Sequence, residues 1–315
     1  MVCLCHLNLA QPLTAFCPTS DQTHVSHFYG DLHDYLAPSR HAIHVSARME
    51  QTMIPEHGLV SPKGGDAQNA DCAGATSEGK VQKPTELSTS RRKSIGHGGF
   101  GSVTVMPCGT RVVKRAREGG SPHNHKFSMR TILRETSVYL YLPPHERLLP
   151  LYGSTATPDS VSIMLGYCKK GNLHDYLEKN PDTKLMWCVL WCVDATQGLA
   201  HLHRHGVLHC DLRPDNLLIG DDDRLRIIDF GGSSIDGETN LAAEAEVYFL
   251  PRPAPWPCTP DTDRFALGST FYHILTGHRP HQDRAPQDDI TASFERGEYP
   301  ADTDDLLIRD IIYKC

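Results

Sequence analysis

The side chains best suited to catalysis stand in two short segments of the sequence. The first contains Asp211, an arginine two positions later (Arg213) and an asparagine five positions later (Asn216). Asp211 can accept a proton from a hydroxyl nucleophile, and Arg213 can neutralise charge that develops on a phosphoryl group. The amide oxygen of Asn216 and the carboxylate of Asp229, in the second segment, are the hard oxygen ligands that Mg²⁺ prefers. These four residues could supply a base, a cation and a metal site for phosphoryl chemistry.

A run of glycines lies nearer the N-terminus. Gly96, Gly98 and Gly101 fit the spacing G-x-G-x-x-G. Glycine is needed where backbone N–H groups approach phosphate oxygens without a Cβ in the way. A dinucleotide fold would begin a helix directly after the glycines, whereas Ser102-Val103-Thr104-Val105 is typical of a strand. The glycines therefore predict a hairpin that covers phosphates. The alternative left open is a glycine-rich turn that binds nothing.

A lysine and a glutamate stand where a charge is costly. Lys114 ends the apolar strand-like run that begins at Arg111, so its ammonium would be partly buried. Glu135 lies three residues after Ile132 and four before Tyr139, on the apolar face of a predicted helix. A carboxylate there is unfavourable unless it is paired. We expect an ion pair between Lys114 and Glu135. The alternatives are a snorkelling lysine and a glutamate at the edge of the face.

The elements that would position these residues change along the chain. Strand-like runs occur at 102–106, 111–115 and 160–165, and beyond them the chain reads mainly as helical. This order predicts an α+β fold with a sheet-rich lobe and a helix-rich lobe. Helical spacing occurs in three stripes, which are Met129, Ile132, Leu133 and Tyr139, then Met186, Val189, Leu190 and Val193, then Phe271, Ile274 and Leu275 before a helix stop at Gly277.

Composition narrows the class of protein. The 315 residues include 31 Lys and Arg against 38 Asp and Glu, a net charge of −7, which argues against general binding to nucleic acids or anionic membranes. No stretch approaches the roughly 20 apolar residues that cross a bilayer, and the N-terminus does not resemble a signal peptide. The 11 cysteines follow no repeated spacing. We therefore expect reduced thiols in the cytoplasm, with a nuclear location left open.

Residues 1–90 lack sustained periodicity and are rich in small, polar and histidine residues. We expect a disordered or weakly structured N-terminal extension. Its cysteines and histidines could suggest a metal site, but their spacing matches no zinc pattern. The residues considered for that site are Cys3, Cys5, His24, His27 and His33.

From Ile95 onward the sequence resembles the eukaryotic protein kinases. The resemblance is carried by His209-Cys210-Asp211-Leu212-Arg213-Pro214-Asp215-Asn216, by Asp229-Phe230-Gly231 and by the glycine run. It implies that Gly96, Gly98 and Gly101 form a glycine-rich loop, that Lys114 holds the α- and β-phosphates of ATP with Glu135 as its partner, that Asp211 is the catalytic base with Arg213 beside it, and that Asn216 and Asp229 bind Mg²⁺.

The same resemblance implies an adenine site and a division into lobes. Val103, Val112 and Leu218 should enclose the adenine, and Leu165 should precede a hinge formed by Gly166, Tyr167 and Cys168. The kinase domain would span 91–315 in a bilobal fold, with a β-rich N-lobe at about 91–165, the hinge at 166–168 and an α-helical C-lobe at 169–315. A helix beginning near Thr262 should carry Asp263, which braces the catalytic loop in this family.

The implied function is transfer of the γ-phosphoryl group of MgATP to Ser or Thr hydroxyls of a protein substrate. Arg213 keeps the charge of the usual lysine, and Pro214 does not fit a tyrosine-kinase pattern. Two alternatives remain. One is a pseudokinase or truncated kinase that acts as a binding module. The other is a small-molecule phosphotransferase, which the glycine run and Asp229-Phe230-Gly231 make the weaker hypothesis.

Two departures from the family pattern carry expectations of their own. Cys210 stands where an arginine usually receives an activating phosphate, so we expect activity not to depend on phosphorylation of Ser233, Ser234, Thr239 or Tyr248. The alternative is that another basic group of the predicted helix, such as Lys126 or Arg130, receives the phosphate. No Ala-Pro-Glu ends the activation segment, although Pro253-Ala254-Pro255-Trp256 lies nearby. The last C-lobe helices should follow Cys315, so the C-lobe looks incomplete. We then expect partial exposure of Leu307, Ile308, Ile311 and Ile312.

Overall fold

The computed structural model describes residues 94–98, with the backbone alone at 96–98, and residues 101–117, 121–284 and 289–315. The expected extension at 1–90 and its cysteine and histidine set lie outside the described residues. Within this part of the chain, no helix is long and apolar enough to cross a membrane. The cytoplasmic location stays a prediction.

A five-stranded antiparallel sheet opens the described fold, in the order β1-β2-β3-β5-β4. Val112 pairs with Leu165 and Lys114 pairs with Ile163 across β3 and β5. Because side chains alternate along a strand, Val112 and Lys114 share one face of the sheet with these partners. The strands are β1 Ser94–Gly98, β2 Gly101–Val105, β3 Arg111–Ala116, β4 Leu151–Thr157 and β5 Ser160–Gly166.

Helix α1, Pro122–Tyr141, packs on this sheet. It begins where the Ser121 side chain accepts a hydrogen bond from the amide of Asn124, which satisfies one of the free N–H groups of the first turn. Its inward face carries Ile132, Glu135 and Tyr139. Leu133, which the spacing placed on that face, is 40% exposed. The helix is rotated so that Glu135, and not Leu133, faces the sheet.

The rest of the described chain is mainly helical. This order of a sheet followed by helices confirms the predicted α+β fold. The helices are α2 Leu173–Lys179, α3 Leu185–Arg204, α4 Pro260–Thr276, α5 Ile290–Glu295 and α6 Arg309–Ile312. Two short antiparallel pairs lie among them, formed by β6 Val207–Leu208 with β9 Ser234–Ile235 and by β7 Leu217–Ile219 with β8 Leu225–Ile227.

Helix α4 is the buried centre of the helical part. A capping box between Thr259 and Thr262 starts it, and Gly277, with a φ of +79°, ends it in the left-handed region that favours glycine. The predicted helix stop is thereby confirmed. Helix α3 packs against α4, and its buried side chains include Trp191 and Cys192. The apolar stripe predicted from Met186 to Val193 lies on the less buried side of α3, and Met186 is 40% exposed.

The final segment differs from the sequence-based expectation. Ile308, Ile311 and Ile312 are buried, and among the four residues expected to be exposed only Leu307 is, at 47%. Helix α6 packs against α4, and the fit is close, since a Cβ added at Gly268 would lie 2.7 Å from the Cβ of Cys315.

The segment that lacks Ala-Pro-Glu contains a buried ion pair of its own. An Arg252 guanidinium nitrogen lies 2.7 Å from a Glu244 carboxylate oxygen, and the Glu244 side chain is fully buried. We expected the ion pair that is usual in the family to be absent here. The segment nevertheless has a buried ionic contact between Arg252 and Glu244.

Candidate active site

Three charged side chains meet where the sheet and α1 face the helical part. Lys114 Nζ lies 2.6 Å from Glu135 Oε2 and 2.7 Å from Asp229 Oδ1. Strand β3 supplies the lysine, α1 the glutamate and the turn after β8 the aspartate. Glu135 is 1% exposed, so its charge is compensated almost entirely by Lys114. The predicted ion pair is present and includes a second carboxylate.

The charges of this cluster favour a protonated lysine. Burial alone would lower the pKa of Lys114, but the carboxylates of Glu135 and Asp229 outweigh it and raise that pKa above its ordinary value. Burial raises the pKa of Glu135, and Lys114 opposes that rise. Burial also acts to raise the pKa of Asp229, yet the charge and hydrogen bond of Lys114 hold it below the usual range. Asp229 is therefore ionised at neutral pH.

Asp211, Arg213 and Asn216 lie together in the loop between β6 and β7. The amide nitrogen of Asn216 donates to the backbone carbonyl of Asp211 at 2.7 Å and to its carboxylate at 3.1 Å. Arg213 Nε stands 3.8 Å from the Asp211 carboxylate. Burial raises the pKa of Asp211, against the opposing charge of Arg213. Asp211 is thus oriented by Asn216 and made a stronger base than an ordinary aspartate.

Asp263 on α4 holds this loop from behind. Its buried carboxylate accepts hydrogen bonds from the backbone amides of His209, at 2.8 Å, and Cys210, at 2.9 Å, and contacts His203 Nε2 at 2.8 Å. Cys210 has a φ of +65°, a strained conformation for a residue with a side chain. The two hydrogen bonds from the backbone amides to Asp263 stabilise that conformation. The bracing role expected for Asp263 is confirmed.

Asn216 and Asp229 fit a divalent cation. The nitrogen of the Asn216 amide is used within the loop, so its oxygen is the atom available to a metal. The backbone amide of Ile228 donates a hydrogen bond to the backbone carbonyl of Asn216 at 3.0 Å. This bond brings Asp229, the next residue in the chain, beside Asn216. An amide oxygen and an ionised carboxylate are the donor set that Mg²⁺ accepts.

A cavity of about 430 Å³ lies between the sheet and the helical part. Lys114, Glu135, Asn216 and Asp229 line one end of it. Its apolar walls include four expected residues, Val103, Val112, Leu165 and Leu218, and three that the sequence analysis missed, Ile95, Leu149 and Ile228. Those three are ordinary apolar residues in separate elements, so no sequence signal marks them. A larger cavity of about 610 Å³, beside Tyr272 and Asp302, contains none of the predicted site residues.

The segment 166–168 joins the sheet to the helical part at the edge of this cavity. The Gly166 amide donates to the Pro150 carbonyl at 3.1 Å, and the Tyr167 amide donates to the Thr110 carbonyl at 3.0 Å. Within the described part of the chain, the Cys168 amide has no such backbone partner. Of the three expected hinge residues, Cys168 is therefore the one whose backbone N–H is available to a ligand in the cavity.

Only part of the glycine run lies among the described residues. Gly96 and Gly98 lie in β1, which pairs with β2, so the glycines belong to a hairpin as predicted. Gly101 begins β2, and a Cβ there would lie 2.4 Å from the Arg115 carbonyl oxygen. Gly101 is thus required by the close approach of β2 and β3, a reason different from contact with phosphate. The tip of the hairpin, Gly99 and Phe100, lies outside the described residues.

These residues bring a lysine–carboxylate cluster and two candidate metal ligands together in a cavity between a sheet and a helical part, with a candidate base bonded to one of those ligands. A family model described as the protein kinase domain matches residues 89–304. The chain belongs to the protein kinase family.

Relatives support the same assignment. A probable serine/threonine-protein kinase of Dictyostelium discoideum is 28% identical over 62% of this chain and 40% of its own length. The SNF1-related protein kinase catalytic subunit alpha of Arabidopsis thaliana is 25% identical over 66% of this chain and 43% of its own length. A serine/threonine/tyrosine-protein kinase of the same plant is 28% identical over 50% of this chain and 42% of its own. The matches span less than half of each of these relatives.

Proposed function

We propose that this chain is a protein kinase that transfers the γ-phosphoryl group of ATP to Ser or Thr hydroxyls of a protein, with Mg²⁺. The observation that carries the proposal is that Lys114, Glu135 and Asp229 are in direct contact in the same cleft that Asn216 lines, with Asp211 bonded to Asn216. A family member that had lost catalysis would have no need to keep all five of these side chains together at one site.

Each residue has a distinct role in this proposal. Asp211 takes the proton of the acceptor hydroxyl while the hydroxyl oxygen attacks the γ-phosphorus. The bond between that phosphorus and the bridging oxygen of the β-phosphate breaks, and ADP leaves with that oxygen. Lys114, oriented by Glu135, holds the α- and β-phosphates. Arg213 neutralises charge on the transferred group. Asn216 and Asp229 would hold Mg²⁺, which neutralises phosphate charge.

The acceptor and the nucleotide follow from the same residues. Arg213-Pro214 after the base fits Ser or Thr acceptors, and the names of two relatives include serine and threonine. One of those names also includes tyrosine, so tyrosine peptides belong in the test. For ATP, the apolar walls around Val112 and Leu218 fit a flat purine, and the Cys168 amide can donate to it.

The test measures phosphate transfer from labelled ATP to Ser, Thr and Tyr peptides by the purified chain, with and without Mg²⁺. We expect Asp211→Asn to lower the rate by about 10²–10⁴-fold, because a general base is lost. Lys114→Met and Asp229→Asn should also lose most activity. Asp182→Asn is the matched control, since Asp182 is an exposed aspartate in the loop before α3.

Two results would contradict the proposal. Wild-type activity in the Asp229→Asn variant would show that the cleft does not perform the transfer. Nucleotide binding by the wild type, with transfer no greater than in Asp211→Asn, would identify a pseudokinase that acts as a binding module.

A further inference from the structure

The segment that follows Gly231 is tied to α1 through charged and polar contacts. An Arg134 guanidinium nitrogen lies 2.8 Å from a Glu238 carboxylate oxygen, and the other donates to the Ser233 carbonyl at 3.0 Å. The Tyr141 hydroxyl donates to the Asp236 carboxylate at 2.9 Å. We call residues 230–256 the activation segment. Its first part is thus held by two side chains of α1.

Arg134 is the neighbour of Glu135 in α1. Whatever holds Arg134 in place therefore also fixes the helical turn that presents Glu135 to Lys114. The turn at 230–232 packs on the same helix, so α1 and the start of the activation segment form one unit. An outward movement of α1 would separate Arg134 from Glu238 and Glu135 from Lys114 together.

The hydroxyls that could carry an activating phosphate are mostly buried. Ser233, Ser234 and Tyr248 are 0%, 3% and 1% exposed. Each is hydrogen-bonded, Ser233 to the His209 carbonyl, Ser234 to the Glu238 carbonyl and Tyr248 to His273. Only Thr239 among the four is exposed. A phosphate on the other three would require this segment to open first.

We propose that Arg134 and Glu238 are positioning residues, and that the carboxylate of Glu238 holds α1 in its catalytic position without any phosphate on the activation segment. Cys210 provides no charge to receive such a phosphate. Glu238 provides a permanent negative charge, and Arg134 is its receiver. This inference rests on the proposed function, because the position of Glu135 affects a rate only if the cleft transfers phosphate.

The size of the effect follows from the exposure of the pair. Arg134 is 13% exposed and Glu238 is 44% exposed, so water screens the interaction on one side. A pair of this kind shifts an equilibrium between two positions of α1 by up to about fivefold. Loss of the pair should therefore lower kcat by about threefold to fivefold, while the melting temperature of the whole domain falls by no more than a few degrees.

A double-mutant cycle tests the pair. We expect Glu238→Gln to lower kcat by about threefold to fivefold, and to have no further effect in an Arg134→Gln background, because its partner is already gone. Glu246→Gln is the matched control, since Glu246 is an exposed glutamate of the same segment. Wild-type kcat in Glu238→Gln, or an equal loss in both backgrounds, would overturn the inference.

Independence from phosphate has its own test. Phosphatase treatment of the wild type, confirmed by mass, and the Thr239→Ala substitution should each change kcat by less than about twofold. A tenfold fall after phosphatase treatment, restored by rephosphorylation, would show that a phosphate does what we assign to Glu238.

Hydrogen exchange separates this inference from the proposed function. Amide exchange in α1 requires no phosphotransfer, and we expect it to be about threefold to fivefold faster in Glu238→Gln than in Glu246→Gln. Faster exchange in Glu238→Gln, together with a wild type that transfers no phosphate, would contradict the proposed function and support the pair. Unchanged exchange in an active enzyme would overturn the pair and leave the proposed function standing.

Discussion

At the scale of single residues, burial and neighbouring charges shift the pKa values of two carboxylates of the candidate site in opposite directions. Burial raises the pKa of Asp211, whereas Lys114 holds the pKa of Asp229 below the usual range even though burial opposes it. Opposite shifts of this kind assign different roles to similar groups. Asp211 is suited to take a proton during the reaction, and Asp229 is suited to stay charged and bind a cation.

The shift at Asp211 predicts the pH dependence of the rate. A base must be deprotonated to act, so activity is lost as the pH falls through the pKa of Asp211, and a raised pKa moves that loss to higher pH. Arg213 opposes the rise. We therefore expect Arg213→Gln to move the acidic limb of the kcat profile to still higher pH, as measured from initial rates at saturating ATP.

Arg213→Lys is the control for that measurement, because it keeps the charge and should keep the position of the limb. Circular dichroism over the same pH range ensures that unfolding does not set the limb. An acidic limb that is unmoved or moves to lower pH in Arg213→Gln would refute the assignment of the limb to Asp211.

At the scale of elements, the sequence predicted where strands and helices begin and end better than it predicted which side of a helix faces the core. The run 111–115 is found as Arg111–Ala116, and Gly277 ends its helix, since these features depend on nearby residues. Spacing placed both Glu135 and Leu133 on the inward face of α1. Glu135 lies there, paired with Lys114, whereas Leu133 is exposed. Helix α3 has apolar residues on more than one side, so periodicity could not decide which side faces α4.

The contact between β2 and β3 gives a prediction at this scale. Gly101→Ala would place a methyl group 2.4 Å from the Arg115 carbonyl oxygen, and the backbone there cannot move aside cheaply. We expect the free energy of unfolding to fall by about 1–3 kcal/mol, as for other overpacked sites. Urea unfolding followed by fluorescence measures this change.

Ser102→Ala, the next residue in β2, is the matched control and should unfold like the wild type. If Gly101→Ala keeps wild-type stability but loses ATP affinity, contact with phosphate and not strand packing explains the glycine.

At the scale of the whole molecule, the end of the described chain is part of the core around α4. Ile308, Ile311 and Ile312 are buried, and Cys315 lies against Gly268. Comparison with the length of a family domain predicts partial exposure of these isoleucines. That comparison could not show that a four-residue helix would pack its isoleucines on α4.

Two substitutions in this final segment test its contribution to stability. Ile311 is 7% exposed and Leu307 is 47% exposed, although they lie only four positions apart. We expect Ile311→Ala to lower the free energy of unfolding by about 2–5 kcal/mol, because it removes buried methyl groups and leaves a cavity against α4. Leu307→Ala should cost much less, because about half of that side chain is already in water. Urea midpoints of the two variants and the wild type give the comparison. Equal midpoints for the two variants would mean that α6 does not pack on α4 in solution and that the exposure expected from the sequence is correct.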